Sequence, residues 1–211
     1  MPRMGLTSAK VVEAAARIAD ELGLDQATLS NVADQLGVRV PSLYKHVDGL
    51  ADLHSRIALN AARDLVDALR ASVEGKSGRD ALLALFTAHR RYATTHSGQF
   101  QALAVARATS MERVEFDGSF TDILLKIMAD YGVHGAEAEH SARAVRAALT
   151  GFAALEAIQS FEQGEDVEAS FYAMIALFDR GLTAPTGAPK KQGGFRLPGL
   201  PGLPGIQISG R

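Results

Sequence analysis

Apolar residues recur along most of the chain at spacings of three and four, the period of an α-helix. In the first such stretch Val11, Ala15, Ile18 and Leu22 form one apolar stripe, and Thr7 stands before it as a candidate N-cap. Up to residue 182, no stretch keeps the alternation of apolar and polar residues that is typical of a β-strand. We therefore predict an all-helical protein.

Loop signals divide this pattern into about nine helices. Two short helices follow the first. One begins after Thr28, a candidate N-cap, and the other begins near Pro41 and runs to about Val47, with Gly37 between them. The longer helices are expected at about 50–73, 79–96, 98–108, 115–131, 136–162 and 166–181. The short helices are therefore predicted to form a small unit ahead of the long ones.

The predicted helices and the local composition divide the chain into three parts. A domain of short helices spans 1–49, a domain of long helices spans 50–182, and a tail spans 183–211. The tail holds five of the seven prolines and seven of the 20 glycines; proline removes backbone donors and glycine raises the cost of ordering. We predict that the tail is a flexible, solvated extension. The alternative is an electrostatic arm that touches DNA or another partner.

Composition limits the classes of protein that fit. The chain has 211 residues, of which 47% are hydrophobic and 22% charged, and this is enough to bury a core. No apolar run approaches the roughly 18 to 20 residues that span a bilayer, and the first residues lack an apolar signal region, so we expect a cytoplasmic protein. The absence of cysteine excludes disulfides, thiolate catalysis and cysteine-ligated metal sites.

Charge is distributed unevenly along the chain. The formal net charge is −2, but the tail carries four of the 22 basic residues and none of the 24 acidic ones. Residues 1–182 therefore carry 18 basic against 24 acidic side chains, and residues 1–56 carry six against seven. Any binding to nucleic acid must come from a local patch rather than from an overall positive charge.

The two short helices and the glycine-containing turn between them have the arrangement of a helix-turn-helix. The turn needs small residues, which Ala33 and Gly37 supply, and the second helix is then presented outward. Its donors suit phosphates and base edges, and its apolar groups suit thymine methyls. The predicted DNA-binding residues are Thr28, Arg39, Val40, Pro41, Ser42, Tyr44, Lys45 and His46. The sequence leaves open whether Tyr44 is partly buried in the core, and whether His46 packs, contacts a phosphate or reads a base.

Residues 7–53 resemble the DNA-binding domain of the TetR family of bacterial repressors. The resemblance rests on Ala-Asp-Gln-Leu-Gly-Val at 33–38, on Pro-Ser-Leu-Tyr-Lys-His-Val at 41–47 and on Leu53. It continues into the later helices, which are similar to a TetR subgroup with His-Gly-Phe, Leu-Glu and Ser-Phe motifs. The matching residues there are Gly151-Phe152, Leu155-Glu156 and Ser170-Phe171.

The resemblance implies a transcriptional regulator, most often a repressor in this family, that binds operator DNA as a homodimer. Two DNA-binding domains would enter successive major grooves of a palindromic double-stranded operator, and a small effector would release them. Three positions depart from the family pattern. Arg39 stands where Ser or Thr often caps the helix, Leu50 where a lysine is usual, and Thr150 where the subgroup commonly has histidine.

The last two predicted helices carry many small and apolar residues. Small residues let two helices approach closely, and a long apolar face needs a partner to cover it. We therefore predict a homodimer interface on these helices; the alternative is that the same residues face the monomer's own core. The predicted interface residues are Ala144, Ala147, Ala148, Gly151, Leu155, Ile158, Phe171, Ile175 and Phe178.

Aromatic and methionine side chains occur at helical spacing in the middle of the chain. Such residues are more often core than pocket lining, but the TetR resemblance implies an effector site among the middle helices. We predict a small apolar or amphipathic effector there. The predicted lining residues are Phe86, His89, Tyr92, Phe100, Phe120, Met128 and Phe152.

The sequence contains no pattern that indicates catalysis, a cofactor or a metal site. It lacks the His-Glu-x-x-His zinc pattern, a phosphate-binding loop, a dinucleotide fingerprint and the Gly-x-Ser-x-Gly nucleophile turn. We therefore expect neither enzymatic activity nor a cofactor. Two alternatives to a DNA-binding regulator stay open: a helical small-molecule-binding protein that does not use DNA, and a co-regulator that acts through protein contacts.

Overall fold

The computed structural model describes residues 5–105, 111–157, 160–161 and 166–184. Within these ranges the chain forms nine α-helices and no β-strand, which confirms the all-helical prediction. In chain order the helices are α1 (Ser8–Leu22), α2 (Leu29–Leu36), α3 (Val40–Leu43), α4 (Leu50–Val73), α5 (Gly78–Thr95), α6 (Ser97–Val105), α7 (Met111–Asp130), α8 (Gly135–Ala157) and α9 (Val167–Thr183). The predicted tail lies outside the described residues except for its first two, and α9 includes the first of these.

Hydrogen bonds confirm two predicted N-caps. The hydroxyl oxygen Oγ1 of Thr7 accepts a hydrogen bond from the backbone N–H of Lys10 at 3.3 Å, and Oγ1 of Thr28 accepts one from Asn31 at 3.2 Å. Each hydroxyl satisfies a donor that the first turn of a helix leaves without a partner. The cap at Thr28 fixes the start of the first helix of the helix-turn-helix.

The bounds of three helices differ from the prediction by about four or five residues at one end. The helix predicted at 136–162 ends at Ala157 in α8, and Ser160 and Phe161 are not helical. The sequence pattern predicts a helix from Pro41 to about Val47, but α3 ends at Leu43. Beyond it the backbone closes into a turn, in which the N–H of His46 donates to the carbonyl of Leu43, three residues back, at 2.8 Å. The backbone of α7 begins at Met111, earlier than the predicted start near 115.

Buried apolar residues form two clusters along the described part of the chain. The first joins α1, α2 and α3 to the beginning of α4 and includes Leu43, Leu53 and Ile57. The second joins the rest of α4 to α5, α6, α7, α8 and α9. We call residues 5–49 the head and residues 50–184 the body. Because α4 contributes to both clusters, the head and the body share one helix.

A second connection between head and body runs through the start of α6. Gly98 lies so close to α1 that a Cβ atom on it would be 2.0 Å from the carbonyl oxygen of Ala19. Beside this contact, Asp20 accepts hydrogen bonds from the backbone N–H of Gln99 at 3.0 Å and from its Nε2 at 2.7 Å. Nδ1 of His96 lies 3.1 Å from the same carboxylate. Backbone packing and side-chain hydrogen bonds therefore hold α1 and α6 together.

Candidate DNA-binding segment and body core

The turn between α2 and α3 depends on a glycine in the left-handed conformation. Gly37 has φ 63° and ψ 34°. Its N–H bonds back to the carbonyl of Asp34 at 3.1 Å, and the N–H of Val38 bonds back to that of Ala33 at 2.9 Å. This is a Schellman arrangement, in which a residue with a Cβ atom would be strained at position 37. It ends α2 and leads the chain directly into α3.

The segment Val40–His46, which we call the reading segment, has an apolar inner side and a polar outer side. Leu43, and Val47 directly after the segment, are buried in the first cluster and hold the segment in place. Tyr44 is 57% exposed, so the structure places it at the surface rather than in the core. The other predicted residues at 39–46 divide into two groups. Three are exposed, namely Arg39, Pro41 and Lys45, and three are half-buried, namely Val40, Ser42 and His46.

The start of α2 and the start of α3 are held in different ways. Thr28 is half-buried, and its hydroxyl oxygen is engaged as the N-cap of α2. Directly before it, the carbonyl of Ala27 lies 3.0 Å from Nε2 of His54, so a side chain of α4 contacts the start of α2. Arg39 stands at the N-cap of α3, and its side chain makes no cap hydrogen bond. The sequence already shows arginine here in place of the Ser or Thr that often caps this helix. Its guanidinium is therefore left exposed at the edge of the reading segment.

The first turn of α4 carries an acid rather than a cation. Leu50, which stands where the family usually has lysine, is exposed. Asp52 accepts hydrogen bonds from the backbone N–H of Asp48 at 2.9 Å and from Nε of Arg56 at 3.0 Å. Burial raises the pKa of Asp52, but these hydrogen bonds and the charge of Arg56 lower it below its ordinary value. Leu50 therefore supplies no positive charge at the start of α4.

The predicted effector residues lie in or against the second apolar cluster. The ring of His89 meets Phe100 of α6 edge-on, with centroids 5.4 Å apart, and lies 5.9 Å from the ring of Phe120 of α7. Cζ of Arg146 from α8 lies 5.1 Å from the centroid of the Phe120 ring. The other predicted residues in this cluster are Phe86, Tyr92, Met128 and Phe152. The structure therefore brings the predicted residues into one core.

Two buried polar atoms in this core have no hydrogen-bonding partner among the described residues: Nδ1 of His89 and the hydroxyl of Tyr92. His89 is 1% exposed and Tyr92 is 7% exposed. Burial lowers the pKa of His89 to about 3, and the charge of Arg146 adds to this effect. The ring is therefore neutral at physiological pH. Burial raises the pKa of Tyr92, and the negative charges of Asp64 and Asp20 raise it further. The apolar pattern identifies both residues but does not reveal their unpartnered atoms.

The motifs of the later helices meet at Arg90, a residue that the sequence pattern does not identify. Its guanidinium donates hydrogen bonds to both carboxylate oxygens of Glu156, at 2.8 and 2.6 Å, and another to Glu168. Its Cζ lies 4.6 Å from the ring centroid of Phe171 and 5.9 Å from that of Phe152. Arg90 therefore ties α5 to α8 and α9. Because 66 residues separate it from Glu156, no local pattern indicates the pair.

The predicted interface residues of α8 lie mostly at the surface of the monomer. Ala144, Ala147, Gly151 and Leu155 are exposed and Ala148 is half-buried. The last predicted residue of this helix, Ile158, lies outside the described residues.

The predicted interface residues of α9 face inward instead. Phe171 and Ile175 are buried, and Phe178 packs against Phe86 with ring centroids 5.9 Å apart. These side chains therefore belong to the monomer's own core, which is the alternative that the sequence leaves open. The large apolar residues that α9 exposes are Tyr172 and Leu177.

Two further classes of site are absent from the residues that the structure describes. None of their helices is both long enough and apolar enough to span a bilayer. The same residues contain no group of three or more His, Cys, Asp or Glu side chains arranged to hold a metal ion.

The fold and the exposed reading segment define a class of protein, a helix-turn-helix regulator with a separate helical core. Residues 82–178 match a family model described as the C-terminal domain of tetracyclin repressor-like proteins. The HTH-type transcriptional regulator YobS of Bacillus subtilis (strain 168) is 31% identical over 182 residues, which are 86% of this chain and 95% of that protein. The chain therefore belongs to the TetR family, and it is a DNA-binding transcriptional regulator.

Solved structures show the same fold at lower identity. A protein of unknown function from Rhodococcus sp. RHA1 superposes with a TM-score of 0.72 at 22% identity, over 86% of this chain and 98% of that one. BioQ in complex with its natural double-stranded DNA operator superposes with a TM-score of 0.63 at 22% identity, over 85% of this chain and 99% of that one. At this identity the likeness establishes the fold alone.

Proposed function

We propose that this protein is a homodimeric repressor that binds a palindromic operator through its reading segment and leaves it when a small effector binds in the body. The observation that carries the proposal is the reading segment itself. Leu43, and Val47 directly after the segment, are buried in the head, while Tyr44 and Lys45 are exposed and Ser42 and His46 are half-buried. A short helix held in this way suits the major groove, where its exposed donors reach base edges and phosphates.

The side chains of the reading segment and its flanks take different roles. Lys45 and the hydroxyl of Tyr44 contact phosphates, and the guanidinium of Arg39 suits either a phosphate or the edge of a guanine. Val40 and Ser42 are short and lie on α3, where they reach base edges. Pro41 suits a thymine methyl, and Thr28 and His46 contact the DNA backbone at the margins of the interface. Because the head has no excess of basic residues, affinity depends on these few contacts and falls with salt in proportion to the number of phosphates that they neutralise.

A second copy of the chain docks on the exposed apolar residues of α8 and α9. Ala144, Ala147 and Gly151 allow close approach, and Leu155 and Leu177 supply apolar area at the surface of the monomer. The second copy is the expected occupant because a twofold axis sets two heads side by side. They then match successive major grooves, which lie about 34 to 36 Å apart.

Helix α6 is the element through which the body acts on the head. Phe100 contacts His89 in the body core, and two residues earlier Gly98 packs on α1 beside Asp20. An effector that displaces Phe100 therefore moves α6, and with it the α1 helix of the head. Only a difference in the effector's affinity for the two arrangements drives the protein off DNA.

We also assign the chain to the TetR subgroup that carries His-Gly-Phe, Leu-Glu and Ser-Phe motifs in its C-terminal domain. Phe152, Glu156 and Phe171 come from these three motifs, and all three contact Arg90. The shared contact gives the motif spacing a physical reason. Thr150 stays a departure from the subgroup pattern.

The experiment that tests the proposal is footprinting of the full chain on the DNA upstream of its own gene. The proposal predicts a single protected region that contains an inverted repeat. Its half-site centres should lie about 10 to 10.5 base pairs apart, or a multiple of that spacing. A chain that binds this DNA no better than a shuffled duplex of the same composition contradicts the proposal.

A further inference from the structure

The most unusual feature of the body core is a pair of unpartnered polar groups in an otherwise apolar environment. His89 and Tyr92 are more than nine-tenths buried, and Nδ1 of His89 and the hydroxyl of Tyr92 have no protein partner among the described residues. Buried polar atoms are satisfied in the great majority of protein structures, and leaving one unsatisfied costs free energy. A phenylalanine at 92 would fill the same space without that cost.

The two residues lie on one side of α5, because positions three apart on a helix are neighbours. Side chains from three other helices converge on His89. Phe100 of α6 meets its ring edge-on, Phe120 of α7 lies beside it, and Arg146 of α8 lies over Phe120. Aromatic rings therefore surround two neutral polar groups, the imidazole of His89 and the hydroxyl of Tyr92. Small-molecule sites have this composition, mostly apolar with a few polar groups.

We propose that the effector is an uncharged amphipathic molecule whose hydroxyl, carbonyl or amide group hydrogen-bonds to His89 and Tyr92, while a ring-sized apolar part lies against Phe100 and Phe120. The inference rests on the proposed function, because it assigns the polar anchors and the ligand class of the effector site in the body.

The charge of the ligand follows from its neighbours. A cation would lie near the positive charge of Arg146, whose effect already reaches the ring of His89. An anion would be attracted by Arg146, but it would lose its hydration, and at the hydroxyl of Tyr92 it would meet the negative charges of Asp64 and Asp20. An uncharged polar group exchanges water for His89 and Tyr92 with no charge to desolvate.

A series of one-ring probes tests the ligand class. The probes are p-cresol, toluene, benzoate and benzylamine, which have similar size and differ in their polar group. Binding of each is measured by thermal shift and by ligand-observed NMR on the full chain. We expect p-cresol to bind best and to exceed toluene by roughly threefold to tenfold, the contribution of one hydrogen bond between neutral groups.

Variants test the anchors. Tyr92→Phe removes the unpartnered hydroxyl, so it should keep or raise the melting temperature without ligand while reducing the preference for p-cresol over toluene. His89→Leu should reduce the same preference. The matched control is Tyr131→Phe, which removes a hydroxyl that donates to Asp179 at 2.7 Å. It should lower the melting temperature and leave the ligand preference unchanged.

Several results would overturn the inference. They are equal binding of p-cresol and toluene to the wild type, tighter binding of benzoate or benzylamine, and a p-cresol preference that survives in both anchor variants. The binding measurement uses no DNA. A failure here therefore leaves the footprint to decide the proposed function separately.

Discussion

Gly98 is a position where the structure leaves no room for a side chain. The Cβ atom of Gly98→Ala would lie 2.0 Å from the carbonyl oxygen of Ala19, and the obstructing atoms are helix backbone that cannot swing away. We expect this substitution to lower the free energy of unfolding by about 2 to 3 kcal/mol, as overpacking does. Urea unfolding at pH 7 measures the change.

The matched control is Gly118→Ala in α7, where an added Cβ atom meets nothing within 4 Å. At this exposed helical position alanine should raise the free energy of unfolding by about 0.5 to 1 kcal/mol. Equal effects of the two substitutions would contradict the close contact between α1 and α6.

His89 makes the stability of the fold depend on pH. Burial and the charge of Arg146 hold its pKa at about 3 in the folded state, below the ordinary value of 6.5. The unfolded chain therefore takes up a proton below pH 6.5 that the folded chain does not. The contribution of His89 to the free energy of unfolding is then largest above this pH and should fall by about 2 kcal/mol between pH 7 and pH 5.

The contribution of His89 is isolated by comparing unfolding at the two pH values in the wild type and in His89→Leu. The other titrating groups are common to both proteins, so the variant should lose about 2 kcal/mol less than the wild type on acidification. An identical loss in both proteins would show that His89 is exposed to solvent or partnered in the folded state.

Individual residues were predictable where local rules decide their role. The caps at Thr7 and Thr28 and the end of α2 at Gly37 follow from residues within a few positions of each other. Asp20 and Arg90 were not predictable, because their partners lie 79 and 66 residues away in sequence. No period or spacing in a single sequence encodes such pairs.

At the scale of whole elements, the sequence predicted which segments are helices better than what covers each apolar face. In α9 the pattern selected Phe171, Ile175 and Phe178 and passed over the exposed Tyr172 and Leu177, but it did not decide whether the selected residues meet a second copy or the monomer's own core. The packing partners decide this, and they come from α5 and α8. The length of α3 was also predicted too long, because the residues after Leu43 continue in a turn that resembles a helix in its apolar spacing.

Arg90 is the main polar connection between α5 and the last two helices. Arg90→Met would leave Glu156 without its bidentate partner in a largely buried position. We expect the free energy of unfolding to fall by about 2 kcal/mol, less than for a fully buried pair because some solvent reaches the site. The change is measured by urea unfolding.

The control for Arg90 is Arg143→Met on α8. Arg143 pairs with Glu139 at 3.9 Å, and both side chains are exposed. Its removal should change the free energy of unfolding by less than about 0.5 kcal/mol. A loss at Arg143 as large as the loss at Arg90 would contradict the structural role given to Arg90.

At the scale of the whole molecule, the proposed dimer makes a prediction about mass in solution. The chain of 22.3 kDa should behave as a species of twice that mass in light scattering. Leu177→Glu should shift it to the monomer, because twofold symmetry adds the charge to both sides of the proposed interface. The control is Leu22→Glu in α1, at a leucine of matching exposure, 65% against 62% for Leu177. A Leu177→Glu protein that keeps the dimer mass would contradict an interface at the exposed face of α9.

The chain as a whole is slightly acidic, so its general charge does not favour DNA. DNA binding should depend on Lys45 in the reading segment and on Arg39 directly before it, rather than on the general charge of the protein. Lys45 is exposed on the head, and Lys126 is an exposed lysine on α7 of the body. Substitution of either lysine by alanine removes one positive charge, so the two variants differ only in where the charge is lost.

The most direct test is a titration of the duplex upstream of the gene with wild type, Lys45→Ala and Lys126→Ala at several salt concentrations. We predict that Lys45→Ala weakens binding to all operator variants about equally. It should reduce the slope of log affinity against log salt by about two per dimer, one for each lost phosphate contact. Lys126→Ala should bind like the wild type. If Lys45→Ala keeps the wild-type affinity and salt slope, Lys45 does not contact the operator and the reading segment does not bind DNA as described.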